Sequence, residues 1–196
     1  LDNNQANDLF WRGTQRILPN KKHLQALLSE VLEHVFSKAP LIKNELINRD
    51  KTSGQANAAN NTLIAALLET KQMEDLGFDA HKYPAEKTIY RAVFKEPGIH
   101  VCKEGIWQFT NPVKNNKYRF YSVWQAIKSF LTKTKAPCKL IDIYKLIEQP
   151  PYGVQKGVSS LLFIGYFLAN QRSLALYESG TFCPHIQICI FIVQKI

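Results

Sequence analysis

Pro150-Pro151, followed at once by Tyr152-Gly153, cannot lie inside a helix or a central strand, because each proline lacks a backbone N–H and fixes its φ. The pair therefore punctuates the chain, and the residues on either side must form separate elements. Upstream, Val123, Ile127, Phe130 and Leu131 recur at helical spacing until Pro137, and Leu140, Ile143, Tyr144 and Ile147 repeat the pattern over a shorter span. Downstream, Val154 to Asn170 reads as a longer helix carrying Val158, Leu161, Leu162, Ile164, Phe167 and Leu168. Leu174–Tyr177, a turn at Glu178-Ser179-Gly180 and Thr181–Cys183 then read as a β-hairpin. Three helices followed by a hairpin is the winged-helix order, expected from about Tyr118 to Pro184. In that fold the third helix and the wing usually face the ligand.

The first half has a looser form of the same order. Asn20 is positioned to cap a helix over Lys22–Ser37 with Leu24, Leu27, Leu28, Val31, Leu32 and Val35 on its stripe. Pro40 is expected to start a second helix, with Leu41, Ile42, Glu45, Leu46 and Ile47. Ala56, Ala59, Leu63, Ala66 and Leu67 mark a third, beside an Asn-rich face of Asn57, Asn60 and Asn61. A further helix is expected from Pro84 to about Lys95, then a hairpin from Ile99 to Phe109 turning at Glu104-Gly105. Trp107 and Phe109 should bury together against Ile89 and Val93, since alternation puts both on one face. The fold class is thus mainly α with small β-hairpins, a winged helix, with a tandem pair of winged-helix-like domains left open. The expected organisation is a lead over 1–19, a helical domain over 20–112, a winged-helix domain over 113–185 and a β-prone tail over 186–196. Asn111–Lys117 is the divider, and both ends look cut.

Catalytic machinery is not legible. Gly153-Val-Gln-Lys-Gly157 has the wrong spacing for a phosphate loop, and no GxSxG elbow, HExxH helix or paired-carboxylate motif occurs. Gly153 reads better as the residue permitting the turn after the prolines. His100-Val-Cys102 and Cys183-Pro-His185 offer two thiols and two imidazoles, but without the tight ligand pairs usual for zinc. Buried cysteine with exposed histidine is the expectation, with no metal and no cofactor. Cys102, Cys138, Cys183 and Cys189 include no CxxC pair, which suits reduced thiols in a cytoplasmic protein. Val158 to Ala169 is too short to cross a bilayer, so no membrane partner is expected.

Charge is the feature that points outward. With 25 Lys and Arg against 16 Asp and Glu, the formal net charge is +9, which favours polyanionic partners. Lys114, Lys117, Arg119, Lys128, Lys133, Lys135, Lys139 and Lys145 stand against the single acid Asp142, with Tyr118, Phe120, Tyr121 and Trp124 interleaved. The candidate nucleic-acid contacts are Lys128, Lys133, Lys135, Lys139 and, at the start of the third helix, Lys156. That third helix lacks the Arg and Asn cluster of a base-reading surface, so contact through charge and shape is expected instead.

Pro150-Pro-Tyr-Gly-Val-Gln-Lys-Gly-Val158, Leu161-Leu-Phe-Ile-Gly-Tyr-Phe-Leu-Ala-Asn170 and Leu174-Ala-Leu-Tyr-Glu-Ser-Gly-Thr-Phe182 resemble a winged-helix segment of very large bacterial phage-defence P-loop ATPases. These are the BREX and related DNA-restriction type. Leu41–Arg49 and Ser53–Leu68 are similar to parts of the same proteins, so the resemblance spans most of 20–185. It implies a non-enzymatic, DNA-engaging module attached to an ATPase. The alternative is a protein-interaction module docking on that parent ATPase or on a partner subunit. The family's nucleotide-binding motifs match nothing here, and no catalytic residue carries over.

Overall fold

In the computed structural model the described residues are 9–17, 20–49, 53–134, 136–178, 180–183 and the backbone of 192–195. The chain divides into two compact units, Leu1–Ser37 and Lys38–Ile196.

In the first unit, β1 (Leu9–Trp11) and β2 (Thr14–Arg16) form an antiparallel hairpin. Helix α1 (Lys21–Val35) begins where Asn20 Oδ1 accepts from the Lys22 and His23 amides, the expected cap. Trp11 meets His34 edge-on at 5.6 Å, and Arg16 pairs with Glu30 at 3.4 Å. Leu24, Leu28 and Leu32, one stripe at i, i+4 and i+8, are exposed.

The second unit opens without the helix expected at Pro40. Residues 39–44 are irregular and 45–47 form a turn. Side chains supply the reason: Asn44 Oδ1 accepts from the Leu46 amide at 3.0 Å, and Asn48 Nδ2 donates to the Ile42 carbonyl at 2.7 Å. Such local bonds compete with the helical ladder. Ile47 is fully buried by this turn.

Helix α2 (Gly54–Glu69), capped by Ser53 Oγ, buries Ala56, Ala59, Leu63 and Leu67 as its periodicity dictates. Asn60 joins that face because its amide donates to the Gly157 carbonyl at 2.8 Å. Helix α3 (Ala85–Tyr90) widens into a π-helical turn over Arg91–Lys95. Strands β3 (His100–Lys103) and β4 (Ile106–Phe109) follow as an antiparallel hairpin. Its two turn residues, Glu104 (φ 52) and Gly105 (φ 81), have the positive φ of the turn that matches strand twist.

Helix α4 (Phe120–Lys133) leads through the short β5 (Cys138–Lys139) to α5 (Leu140–Glu148), and α6 (Lys156–Ala169) follows the double proline. Gly153 takes φ 58 in the intervening turn, as a residue without Cβ can. The hairpin β6 (Leu174–Glu178) and β7 (Thr181–Cys183) continues into a sheet ordered β5-β8-β6-β7, where β8 is Ile192–Lys195. All pairings in it are antiparallel.

One apolar core runs from Ile47 through α2, α3, α4 and α5 to Leu176. Asn111–Lys117 thus joins two parts of one unit instead of dividing two domains, because α6 is shared by both. It packs on α2, α5 and the π-helical turn, and of its 14 residues Lys156 alone is exposed. Among the described residues no helix is long and apolar enough to cross a membrane.

Gly165 is where this packing leaves no room for a side chain. A Cβ there would lie 2.5 Å from Cε1 of Phe94, a ring that is fully buried and has nowhere to move. Gly165→Ala should therefore destabilise the protein by about 1–3 kcal/mol, although alanine is the better helix former by about 1 kcal/mol. Urea unfolding followed by circular dichroism would measure it, and an unchanged midpoint would contradict the contact.

Candidate functional site

Burial reverses what was expected of the His100-Val-Cys102 pair. His100, expected to be exposed, is buried, whereas Cys102, expected to be buried, is exposed. The imidazole tolerates burial because both nitrogens are satisfied: Nε2 lies 2.9 Å from the Lys71 carbonyl and Nδ1 2.7 Å from the Tyr90 hydroxyl. A carbonyl only accepts, so Nε2 carries the proton and Nδ1 accepts from Tyr90. Burial lowers the His100 pKa, with the Lys71 bond and Asp75 opposing, and burial together with Asp75 raises that of Tyr90. Among the described residues no group of three or more His, Cys, Asp or Glu could hold a metal ion. Cys183 is half-buried, while His185 and Cys189 lie outside the described residues.

His100 instead organises a wall. It stacks on Phe109 with ring centroids at 4.6 Å and meets Trp107 at 5.1 Å. Phe109 is buried as expected, but its ring partners are His100 and Phe94. Trp107 shares that face and is only half-buried, with Lys95 Nζ 5.6 Å from its ring. Lys71, Trp107 and Phe109 then line a hollow of about 530 Å³, closed on its other side by Asn170, Gln171 and Arg172 after α6.

Two further hollows continue from it. A small one of about 90 Å³ is walled by Asn111, Tyr121, Trp124, Gln125, Lys128, Tyr166 and Asn170. A wider one of about 410 Å³ lies along α4 between Lys38, Tyr121, Gln125, Phe130, Lys133 and Tyr152. Asn170 lines the first and second, and Tyr121 and Gln125 the second and third, so adjoining hollows share wall residues, and the three together are called the furrow below. Its walls hold five cations, Lys38, Lys71, Lys128, Lys133 and Arg172, and no Asp or Glu. None of the five is in an ion pair among the described residues.

The acids of the neighbourhood are used elsewhere. Asp75 holds Lys95 and, at 3.8 Å, Lys87, whose buried ammonium also donates to the Asp79 carbonyl at 2.7 Å. Lys87 is thus a fully satisfied internal cation that fixes the loop of Asp75, Leu76 and Gly77, all at positive φ.

Of the residues expected to contact nucleic acid, Lys128 and Lys133 line the furrow from either side of the Tyr121–Gln125 ridge. Lys139 and Lys156 are exposed but line none of its three hollows, and Lys135 lies outside the described residues. Lys38, Lys71 and Arg172 were not singled out from sequence. Each stands alone in its own segment, so no local run of charge marks it. No protein-family model matches the chain, and neither a curated protein nor a solved structure matches it.

The buried neutral imidazole makes stability depend on pH. Unfolded His100 takes a proton near pH ~6.5, and folded His100 does so only at lower pH. The unfolded chain therefore binds more protons in that interval, and stability falls as the pH drops below about 6.5. Urea midpoints measured from pH 8 to pH 5 should fall less steeply in His100→Gln than in the wild type. Equal slopes would mean that His100 is not held neutral.

Proposed function

We propose that this chain is a non-enzymatic module that contacts nucleic acid, DNA first, by charge and shape along the acid-free furrow. The observation that carries the reading is the furrow's composition: five cations without carboxylates, interleaved with half-buried aromatics such as Trp107, Tyr121, Phe130 and Tyr152. Phosphates are neutralised by unpaired lysine and arginine, and aromatic faces pack against sugars or bases. The furrow has no run of Arg and Asn aimed at base edges, so little sequence preference is expected.

The order α4, β5, α5, α6, β6, β7 supports reading the region from Phe120 to Cys183 as a winged helix. Two departures bear on its use. α6 is sheathed on all sides, so it does not enter a major groove, and β8 stands between β5 and β6. We therefore assign the contact surface to α4 and the other segments that line the furrow. The resemblance to phage-defence ATPases is part of the same proposal: the module would deliver DNA contact to an attached motor. The second reading, a docking module for that ATPase or a partner subunit, is favoured by the exposed Leu24, Leu28 and Leu32 stripe of α1.

Fluorescence polarisation with unrelated DNA sequences should give non-specific dissociation constants on the order of 10⁻⁴–10⁻⁶ M that weaken steeply with salt. Lys128→Glu with Lys133→Glu should weaken all sequences alike and reduce the salt slope by about 2. Lys139→Glu with Lys156→Glu, equal in charge but outside the furrow, should have a much smaller effect. Equal losses from the two pairs would reduce the reading to net charge alone.

The purified chain is also expected to turn over neither ATP nor DNA, since the sequence has no GxxxxGK(S/T) loop and no Asp or Glu lines the furrow. Activity that co-purifies through successive columns and is lost in a furrow variant would contradict this.

A further inference from the structure

The hollow along α4 combines aromatic surface with charge. Tyr121, Gln125, Ser129 and Lys133 follow one another at helical spacing, as do Ser122, Ala126 and Phe130, so two adjacent stripes of the helix form its floor. From Tyr121 to Lys133 this floor is about 18 Å long at the rise of an α-helix. The remaining wall is Leu146 of α5, Tyr152 and Lys38, whose amide donates to the Pro151 carbonyl at 3.0 Å.

Three rings line this hollow, and each keeps accessible surface. Tyr121, Phe130 and Tyr152 are half-buried, and Phe130 and Tyr152 pack in part against the core. Among the described residues none of the three meets another ring or a cation, and neither tyrosine hydroxyl has a hydrogen-bond partner. Rings deeper in the same unit are paired instead: Trp124 with Phe120 and Tyr166, and Tyr144 with Phe163.

A duplex has little to offer such rings, because its base faces are stacked on one another and its outer surface is sugar and phosphate. A single strand can turn its bases out onto aromatic side chains. Charge by itself favours the other form, since a duplex carries one negative charge per ~1.7 Å of axis against ~3.4 Å for one of its strands.

We propose that the hollow along α4 is a stacking trough for unpaired bases, so that the furrow takes single-stranded DNA in preference to duplex. This rests on the furrow reading and names the form of its ligand. Tyr121, Phe130 and Tyr152 receive the bases, and Lys38 and Lys133, with no Asp or Glu among the lining residues, neutralise the phosphates between them.

The test is a pair of polarisation titrations of the full chain. One uses a labelled oligothymidylate of about 12 nucleotides, which cannot pair with itself, and the other the duplex it forms with oligoadenylate. The single strand should bind roughly tenfold or more tighter, against the greater charge of the duplex. Tyr121→Leu and Tyr152→Leu should each weaken the single strand roughly fivefold or more and the duplex much less. Tyr121→Phe keeps the ring and should bind the single strand as the wild type does. The wild-type comparison answers the question should a leucine variant fail to fold.

A duplex bound as tightly as the single strand, or both forms weakened alike by Tyr121→Leu, overturns the trough. The furrow reading outlives that result if Lys128→Glu with Lys133→Glu still weakens the duplex. Absence of salt-sensitive binding to either form overturns both.

Discussion

The contact on which the larger unit depends is the Phe94 ring lying against the missing side chain of Gly165. It lets the π-helical turn after α3 come within van der Waals distance of α6. The β3–β4 hairpin then hangs from that turn, with the Ile99 amide bonded to the Phe94 carbonyl at 2.8 Å. Burial of α6 on one side by α2 and this turn, and on the other by α5, makes a single core from residues on both sides of a polar connection. The wide hollow at the end of α6 exists because the hairpin is held at that distance. Trp107 and Lys71 form its far wall and Arg172 its near one.

Polar groups are handled in two ways in this unit. Two groups of them inside the core form closed sets: Lys87 with Asp75 and the Asp79 carbonyl, and Tyr90 with His100 and the Lys71 carbonyl. Each set consumes its own acceptors, as burial demands. The cations of the furrow have no carboxylate partner among the described residues. Structural charge is neutralised inside, and five cations without carboxylate partners line the furrow.

Much of this was readable from periodicity and punctuation. α4, α5, α6 and the β6–β7 hairpin follow from apolar spacing between Pro137, Pro150-Pro151 and Gly180. The helix expected at Pro40 was not, because its apolar spacing was real while the Asn44 and Asn48 side chains bonded the backbone in its place. The division at Asn111–Lys117 was drawn from polarity, yet polarity says nothing about which helices share a core. The burial of His100 over Cys102 depended on two partners, Tyr90 and Lys71, 10 and 29 residues away. Lys128 and Lys133 were visible as part of a basic run. Lys38, Lys71 and Arg172 acquire meaning only once the chain has folded, since the furrow collects one cation from each of several distant segments.

That mode of assembly bears on selectivity. A base-reading surface needs donors and acceptors fixed together on one rigid element so that their pattern matches an edge. Here the cations sit on long side chains from separate segments, and the rigid element best placed for reading, α6, is enclosed. Long lysines placed around a furrow follow a backbone whatever its bases, and their contribution is mostly counterion release. The same geometry explains why the charge need not be dense. On the proposed reading, five cations along a track free of carboxylates would hold a polyanion in register, whereas the exposed Lys139 and Lys156 outside it would add only to the general field.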